Sequence, residues 1–482
     1  MILKNMMYQG FDAYERSINK IDSTVVFIAK DGEKDFLIIA ADGGKTGSQL
    51  GFKGDDLGGG KFRAELTHEN ACVLRTLFPF TSPVRGLKND KSFGLGDRLG
   101  IATAGHINLF EKNNVFPIFA QQSIRELKLT NRTYEDVLDA ATFAVFREGF
   151  KRGFGADGDH LKIPEDIEYA LSLGFTMITL DCSEHIKNGV TQDNAPPPSK
   201  HLTEKYLNKT FDIDDGITLA FNEKELAQCA EIYSGAIKFA AQMYNRFLAG
   251  GKYDADFEVS IDETESVTTP LQHFFTAREL FDSGVAFATI APRFCGEFQK
   301  GIDYIGDSSQ FEREIKIHAA IARHFGYKLS IHSGSDKFRV FPIIGRETRG
   351  RFHVKTAGTN WLQAVRIAAS ADPSLYRKIH SYALSVFADA KKYYHVTTDL
   401  SLIPDISTLR DSELTPLFEN NETRQLIHIT YGHILTRKNS DGSFLFRDRL
   451  YKLLREHEDE YRLSLVKHIG KHLELLNQVP SL

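Results

Sequence analysis

Cysteine is scarce: the 482-residue chain has four, Cys72, Cys182, Cys229 and Cys295, widely separated and without a CxxC pair. That excludes a disulfide framework and a zinc ribbon as organising devices, and it fits a reducing compartment. No run approaches the roughly 18 apolar residues needed to span a bilayer, and the start "MILKNMMYQGFDAYERS" lacks the apolar segment of a secretory signal. The expectation is a cytoplasmic protein with no membrane partner. Positive charge is not in excess either. Lys plus Arg number 59 against 64 Asp plus Glu, a formal net charge of -5, which argues against a nucleic-acid partner. Two nucleotide signatures are also missing. No GxGxxG follows an early strand-like run, and "ADGGKTG" has Ile39 where a phosphate-binding loop needs glycine, so it reads as a hairpin end.

What is present is an ordinary globular composition, 42% hydrophobic and 26% charged, so a folded core rather than disorder is expected. The length exceeds the roughly 250 to 300 residues at which one core stops growing, which points to a large central domain with additions. Residues 1–90 carry β-branched runs, "TVVFIA" and "DFLIIAA", joined by an Asp-Gly hairpin signal, and read as a small α+β region. Over 91–372 eight strand-like runs follow: "SFGLGDRLG", "VFPIFAQQS", "FGADGDHLK", "TMITLDCS", "FEVSIDET", "VAFATIAP", "KLSIHSG" and "FHVKTAG". Most are separated by stretches with apolar residues at helical spacing, so the α/β fold class predicted is a TIM-like (β/α)8 barrel. Residues 373–482 read as a helical extension.

Six of the eight runs end in polar or ionisable residues: Asp97; Gln121 and Gln122; Asp159 and His160; Asp181; Asp262 and Glu263; and His332. A barrel gathers these ends at one mouth. Strict alternation would put Asp159 and His160 on opposite faces, so both meet the mouth only if the strand ends there. The alternative is that Asp157 or Asp159 orders the turn while His160 packs beneath it. Two imidazoles, His160 and His332, with an oxygen donor would suit Zn, Mn, Ni or Co; the loop "PRFCGEFQKGIDYIGD" offers Gln299 or Asp307 as that donor. Glu258 is the odd acid in mid-run. Glu263 at its end suits general acid or base work, against the alternative of a helix cap, for which Thr269 before Pro270 also serves. Lys162, Lys337 and Lys355 follow or sit within strand ends and would hold an anionic substrate. Lys355, in an apolar run, is also the best Schiff-base candidate.

The blocks "FGLGDRLGIATAGHI", "GADGDHLK", "SIDETES", "GEFQKGIDYIGD", "IHSGSDKF" and "HVKTAGTNWLQAVRIAA" resemble the tagaturonate epimerases, which interconvert tagaturonate and fructuronate in hexuronate catabolism. The resemblance runs over most of the chain in the same order. It implies a divalent-metal enzyme on a TIM-like barrel, acting on a small sugar acid. It also implies Asp159 as proton acceptor, Glu263 as proton donor, and His160 and His332 as metal ligands, with Gln299 as the third. Asp97 and Gln121 are expected at the substrate, and Lys162, Lys337, Lys355 or Arg98 at its carboxylate. The centre inverted lies one bond beyond the carbon next to the ketone, so its C–H is not acidified. Retro-aldol cleavage, rotation and re-addition is therefore the expected route. A metal-dependent aldolase or lyase on the same barrel is the alternative, and a non-catalytic sugar-acid binder a third reading. The oligomeric state is left open.

Overall fold

The computed structural model describes residues 5–478. All eight runs form strands: β1 (Lys91–Gly96), β2 (Phe116–Ser123), β3 (Gly155–Leu161), β4 (Met177–Asp181), β5 (Asp256–Ile261), β6 (Thr289–Pro292), β7 (Lys328–Ile331) and β8 (Phe352–Ala357), counting barrel strands alone. They close into one barrel in the cyclic order β3-β4-β5-β6-β7-β8-β1-β2, with parallel pairing along the ladders from β3 to β8. The strands are covered on both faces, their polar residues included; every residue of β4 and β5 is buried. The TIM-like barrel read from the sequence is the barrel that folds.

Local chemistry sets the helix starts. Pro164 opens the helix Pro164–Ser172, with Glu165 and Asp166 in its first turn, where the helix dipole favours acids. Thr269 caps Pro270–Asp282, accepting from the Gln272 amide while Gln272 answers in a capping box. That leaves Asp262 and Glu263 out of the cap. Ahead of the barrel, the strands Thr24–Asp31 and Lys34–Ala41 pair Asp31 with Lys34, and Gly32, at φ 59°, supplies the left-handed residue the tight turn needs. The "ADGGKTG" stretch lies just beyond, in bends and turns over 42–54 with no helix behind it, so it has no dipole to offer a phosphate.

The chain divides into two compact units that interleave along it, whereas the sequence suggests three consecutive regions meeting near 90 and 372. The first takes residues 5–84, 95–156 and 357–470. Its core buries Trp361, whose Nε1 donates to the Ile427 carbonyl at 2.8 Å. The second takes 85–94, 157–356 and 471–478 and holds the candidate site. It also holds a hairpin, Thr210–Ile213 with Ile217–Ala220, that the sequence pattern did not single out. Among the described residues no helix is long and apolar enough to cross a membrane.

Candidate active site

The backbone answers how Asp159 and His160 face the same way. Between Gly158 and Leu161 the pairing of β3 with β4 slips, three steps on β3 passing two on β4, which is a bulge. His160 sits in it at φ 55°, a conformation that histidine tolerates better than branched residues do. The extra residue swings the imidazole back over its neighbour, and His160 Nδ1 lies 2.7 Å from Asp159 Oδ1.

Below this pair is a buried charge network. Lys355 Nζ lies 2.7 Å from Asp157 Oδ2, 2.5 Å from Asp159 Oδ1 and 3.2 Å from Glu258 Oε1, and it donates to Thr179 Oγ1 at 2.5 Å. Thr179 in turn donates to Asp157 at 2.9 Å and Thr289 to Glu258 at 2.6 Å. Burial alone would lower the lysine pKa, yet Asp157, Asp159 and Glu258 together raise it well above its usual value. The same ammonium works on the acids. Burial would raise Asp159, but Lys355 and His160 hold it well below the usual carboxylate range. Glu258, also opposed by burial, is held low by Lys355 and His332. Only Asp157 rises, to about 6, because burial there outweighs Lys355. A Schiff-base lysine needs a depressed pKa, and the three carboxylates push Lys355 the other way. Its three carboxylates also make it a poor partner for a substrate anion, contrary to the sequence expectation.

Above the network, His160, Asp262 and His332 each offer a ligand atom, and the three lie within 4.8 Å of one another. His332 Nδ1 is 3.1 Å from Asp262 Oδ1, and its Nε2 is 2.7 Å from Glu258 Oε1. Burial pulls the His332 pKa down, but Asp262 and Glu258 push it up to about 10. His160 is raised too, burial being outweighed by Asp159. Four carboxylates thus surround one lysine and two imidazoles. Two imidazoles and one carboxylate form a donor set suited to a divalent transition metal, and Glu258 behind His332 is the oriented carboxylate such ligands usually have. The residues fit a metal. Glu263 Oε1 stands 4.0 Å from His160 Nε2 with its side chain 35% exposed, on the solvent side of the cluster.

The remaining candidates divide differently from the sequence expectation. Gln299, expected as third ligand, is buried in the loop after β6, where its backbone carbonyl accepts from Lys337; Asp262 is a carboxylate brought close to both imidazoles. Asp307 caps the helix Ser308–His324 through the Ser309 amide. Lys337 Nζ donates to three carbonyls, of Gln299, Ile302 and Ser335, at 2.6 to 2.8 Å. It braces loops rather than offering its three donors to substrate. Lys162 donates to Ser183 at 3.0 Å and lies 3.4 Å from Glu184 and 3.6 Å from Asp181. In the first unit, both Asp97 oxygens accept backbone amides, of Leu99, Gly100 and Ala102, at 2.7 to 3.0 Å, so this acid builds the turn after β1. Gln121 is buried in β2. Arg98 is buried against Glu126, the His428 carbonyl and the Tyr431 ring. In the sequence Asp157 reads only as a turn residue, Asp262 as a strand-end acid rather than a ligand and Glu258 as an odd acid in mid-run, while Thr179 carries no signal of its own. The usable signal was polar residues at every second position of otherwise apolar strands, the inward series of a barrel.

The tagaturonate epimerase family model matches residues 14–476. A curated tagaturonate/fructuronate epimerase of Thermotoga maritima is 44% identical over 98% of this chain and 99% of its own length. Crystal structures of the fructuronate-tagaturonate epimerase of Cohnella laeviribosi, native and with glycerol, are 48% identical and superpose with a TM-score of 0.93. They cover 97% of this chain, and it covers 97% and 96% of theirs.

Proposed function

The chain belongs to the tagaturonate epimerase family, and on that premise we propose that it is a cytoplasmic isomerase interconverting D-tagaturonate and D-fructuronate with a divalent metal held by His160, Asp262 and His332. The observation that carries the reading is Asp159, with Oδ1 2.5 Å from the Lys355 ammonium and 2.7 Å from His160 Nδ1, beside a three-donor cluster that also faces Glu263. Bound there, a divalent cation supplies Lewis acidity to the ketone end of the substrate.

The residues then do the following. Asp159 takes the proton of the hydroxyl on C4, and the C3–C4 bond breaks to give an aldehyde at C4 and an enediolate over C2 and C3. Glu263 gives its proton to the enediolate oxygen. The aldehyde turns its other face, Glu263 recovers the proton as C3 and C4 rejoin, and Asp159 returns its own to the C4 oxygen with the centre inverted.

NMR of D-tagaturonate incubated in D2O with the metal-loaded protein tests this. Fructuronate without deuterium at C4 is expected. Deuterium at C4 contradicts the cleavage route, two three-carbon fragments identify a lyase, and unchanged substrate contradicts the activity.

A further inference from the structure

Lys355 and Lys337 are turned to other partners, and Lys162 lies against Ser183, Asp181 and Glu184; a further cation at the barrel mouth is Arg293. The ladder between β5 and β6 pairs Glu258 with Thr289, Ser260 with Ala291 and Ile261 with Pro292. Continued one step past both strand ends, that register would set Arg293 opposite Asp262, and Arg293 Nη1 donates to the carbonyl of Thr264, two residues beyond Asp262. Thr289 Oγ1 donates to Glu258 inside the barrel at 2.6 Å, so alternation carries 289, 291 and 293 along the inward side. The Arg293 backbone therefore lies at the same end of the barrel as the proposed ligand Asp262.

Its surroundings are unusual for an arginine among so many acids. The Arg293 guanidinium takes part in no ion pair with the described residues, although the neighbouring strand end carries Asp262 and Glu263. One nitrogen, Nη1, donates to the Thr264 carbonyl, and the Nε and Nη2 hydrogens meet no protein acceptor among the described residues. The backbone beneath is fixed: the Arg293 amide donates to Thr268 Oγ1 at 3.1 Å and the Thr268 amide to the Arg293 carbonyl at 2.9 Å. An anchored arginine with an open fork at a mouth is the geometry that receives a carboxylate in two parallel hydrogen bonds.

We propose that Arg293 binds the carboxylate of the substrate and is the residue that distinguishes a uronate from the neutral ketose. This rests on the reading that a tagaturonate-like acid is the substrate. The alternative role is structural, holding the Thr264 carbonyl and with it Glu263; that role would affect acid and neutral substrates alike.

The test compares wild type, Arg293→Lys, Arg293→Met and Lys300→Met on D-tagaturonate and on D-tagatose, which has an alcohol in place of the carboxylate. Lys300, whose Nζ donates to Ser333 at 2.8 Å, is the competing cation. Arg293→Met is expected to lower kcat/KM on the acid about 100-fold, mainly through KM, and to change it less than about threefold on the neutral ketose. Arg293→Lys should recover part of the loss. Where turnover of D-tagatose is too slow to measure, the Kd of tagaturonate for Asp159→Asn is compared with that for Asp159→Asn/Arg293→Met, and a weakening of about 30-fold or more is expected. Equal loss on both substrates, a Kd change under about threefold, or a loss that follows Lys300→Met instead overturns the proposal. Wild type that leaves tagaturonate unchanged defeats the epimerase reading itself, whatever the Arg293 variants do.

Discussion

The second unit buries two lysines in its barrel strands, and their ammoniums have opposite company. Lys355 lies late in β8 among Asp157, Asp159 and Glu258. Lys328 opens β7 at the other end and donates to the Asn89 carbonyl at 2.6 Å and to Ser92 Oγ at 2.9 Å. Burial lowers Lys328 to about 7, only partly opposed by the more distant Asp256 and Asp90, while the carboxylates raise Lys355. Burial is therefore not what marks a functional charge in this barrel. What separates the two ends is whether the charge is matched by opposite charges that themselves reach the mouth. Lys355 stabilises a set of acids that meet two imidazoles; Lys328 closes the floor of the barrel with neutral partners.

The comparison can be broken in a definite order of effect. Asp159→Asn removes the acceptor at the upper end and should lower kcat by about 1000-fold or more with the fold retained, read by turnover and thermal melting. Lys355→Met should then show both costs at once. It leaves Asp157, Asp159 and Glu258 buried without their cation, so stability should fall by about 3 to 5 kcal/mol in urea titration, and the acidic limb of the kcat profile should move to higher pH as Asp159 regains proton affinity. Lys328→Met is the contrasting case: kcat should stay within about threefold, because no acid of the mouth touches it.

The smallest effect is a pH slope. The folded pKa of Lys328, about 7, lies below that of an unfolded lysine, so between the two the unfolded chain binds more protons and wild-type stability rises with pH. Its contribution is at most about 1.4 kcal/mol per pH unit in that window. Denaturation at pH 7 and pH 9.5 should show the rise in wild type and a flatter response in Lys328→Met; equal slopes would remove the contrast between the two lysines.

These two residues also show how far the sequence could be read. The eight barrel strands were legible because short apolar or β-branched runs recurred between stretches with helical spacing. The hairpin at 210–220 was not, since its strands are short and half exposed. Asp159, His160, Glu263 and His332 stood out by position at strand ends. The bulge that turns His160 over Asp159 is a backbone property with no signature in composition. Partners were the other hidden quantity: Asp97 and Asp159 look alike in sequence, yet one acid accepts backbone amides and the other faces Lys355. The lysines were legible as charges near strand ends, but only the fold shows that Lys337 braces carbonyls, while Arg293, unremarked in the sequence, keeps its fork open.

The central claim is that the charged upper end of the barrel is a metal-dependent catalytic site. The direct measurement is metal content and tagaturonate turnover in protein stripped with chelator and then restored with Mn or Zn, run beside Asp262→Asn. The account predicts about one tightly held ion per chain, activity lost on stripping and regained on restoration, and weakened metal retention in the variant. Full turnover by the stripped protein, or metal retention unchanged by Asp262→Asn, would contradict it.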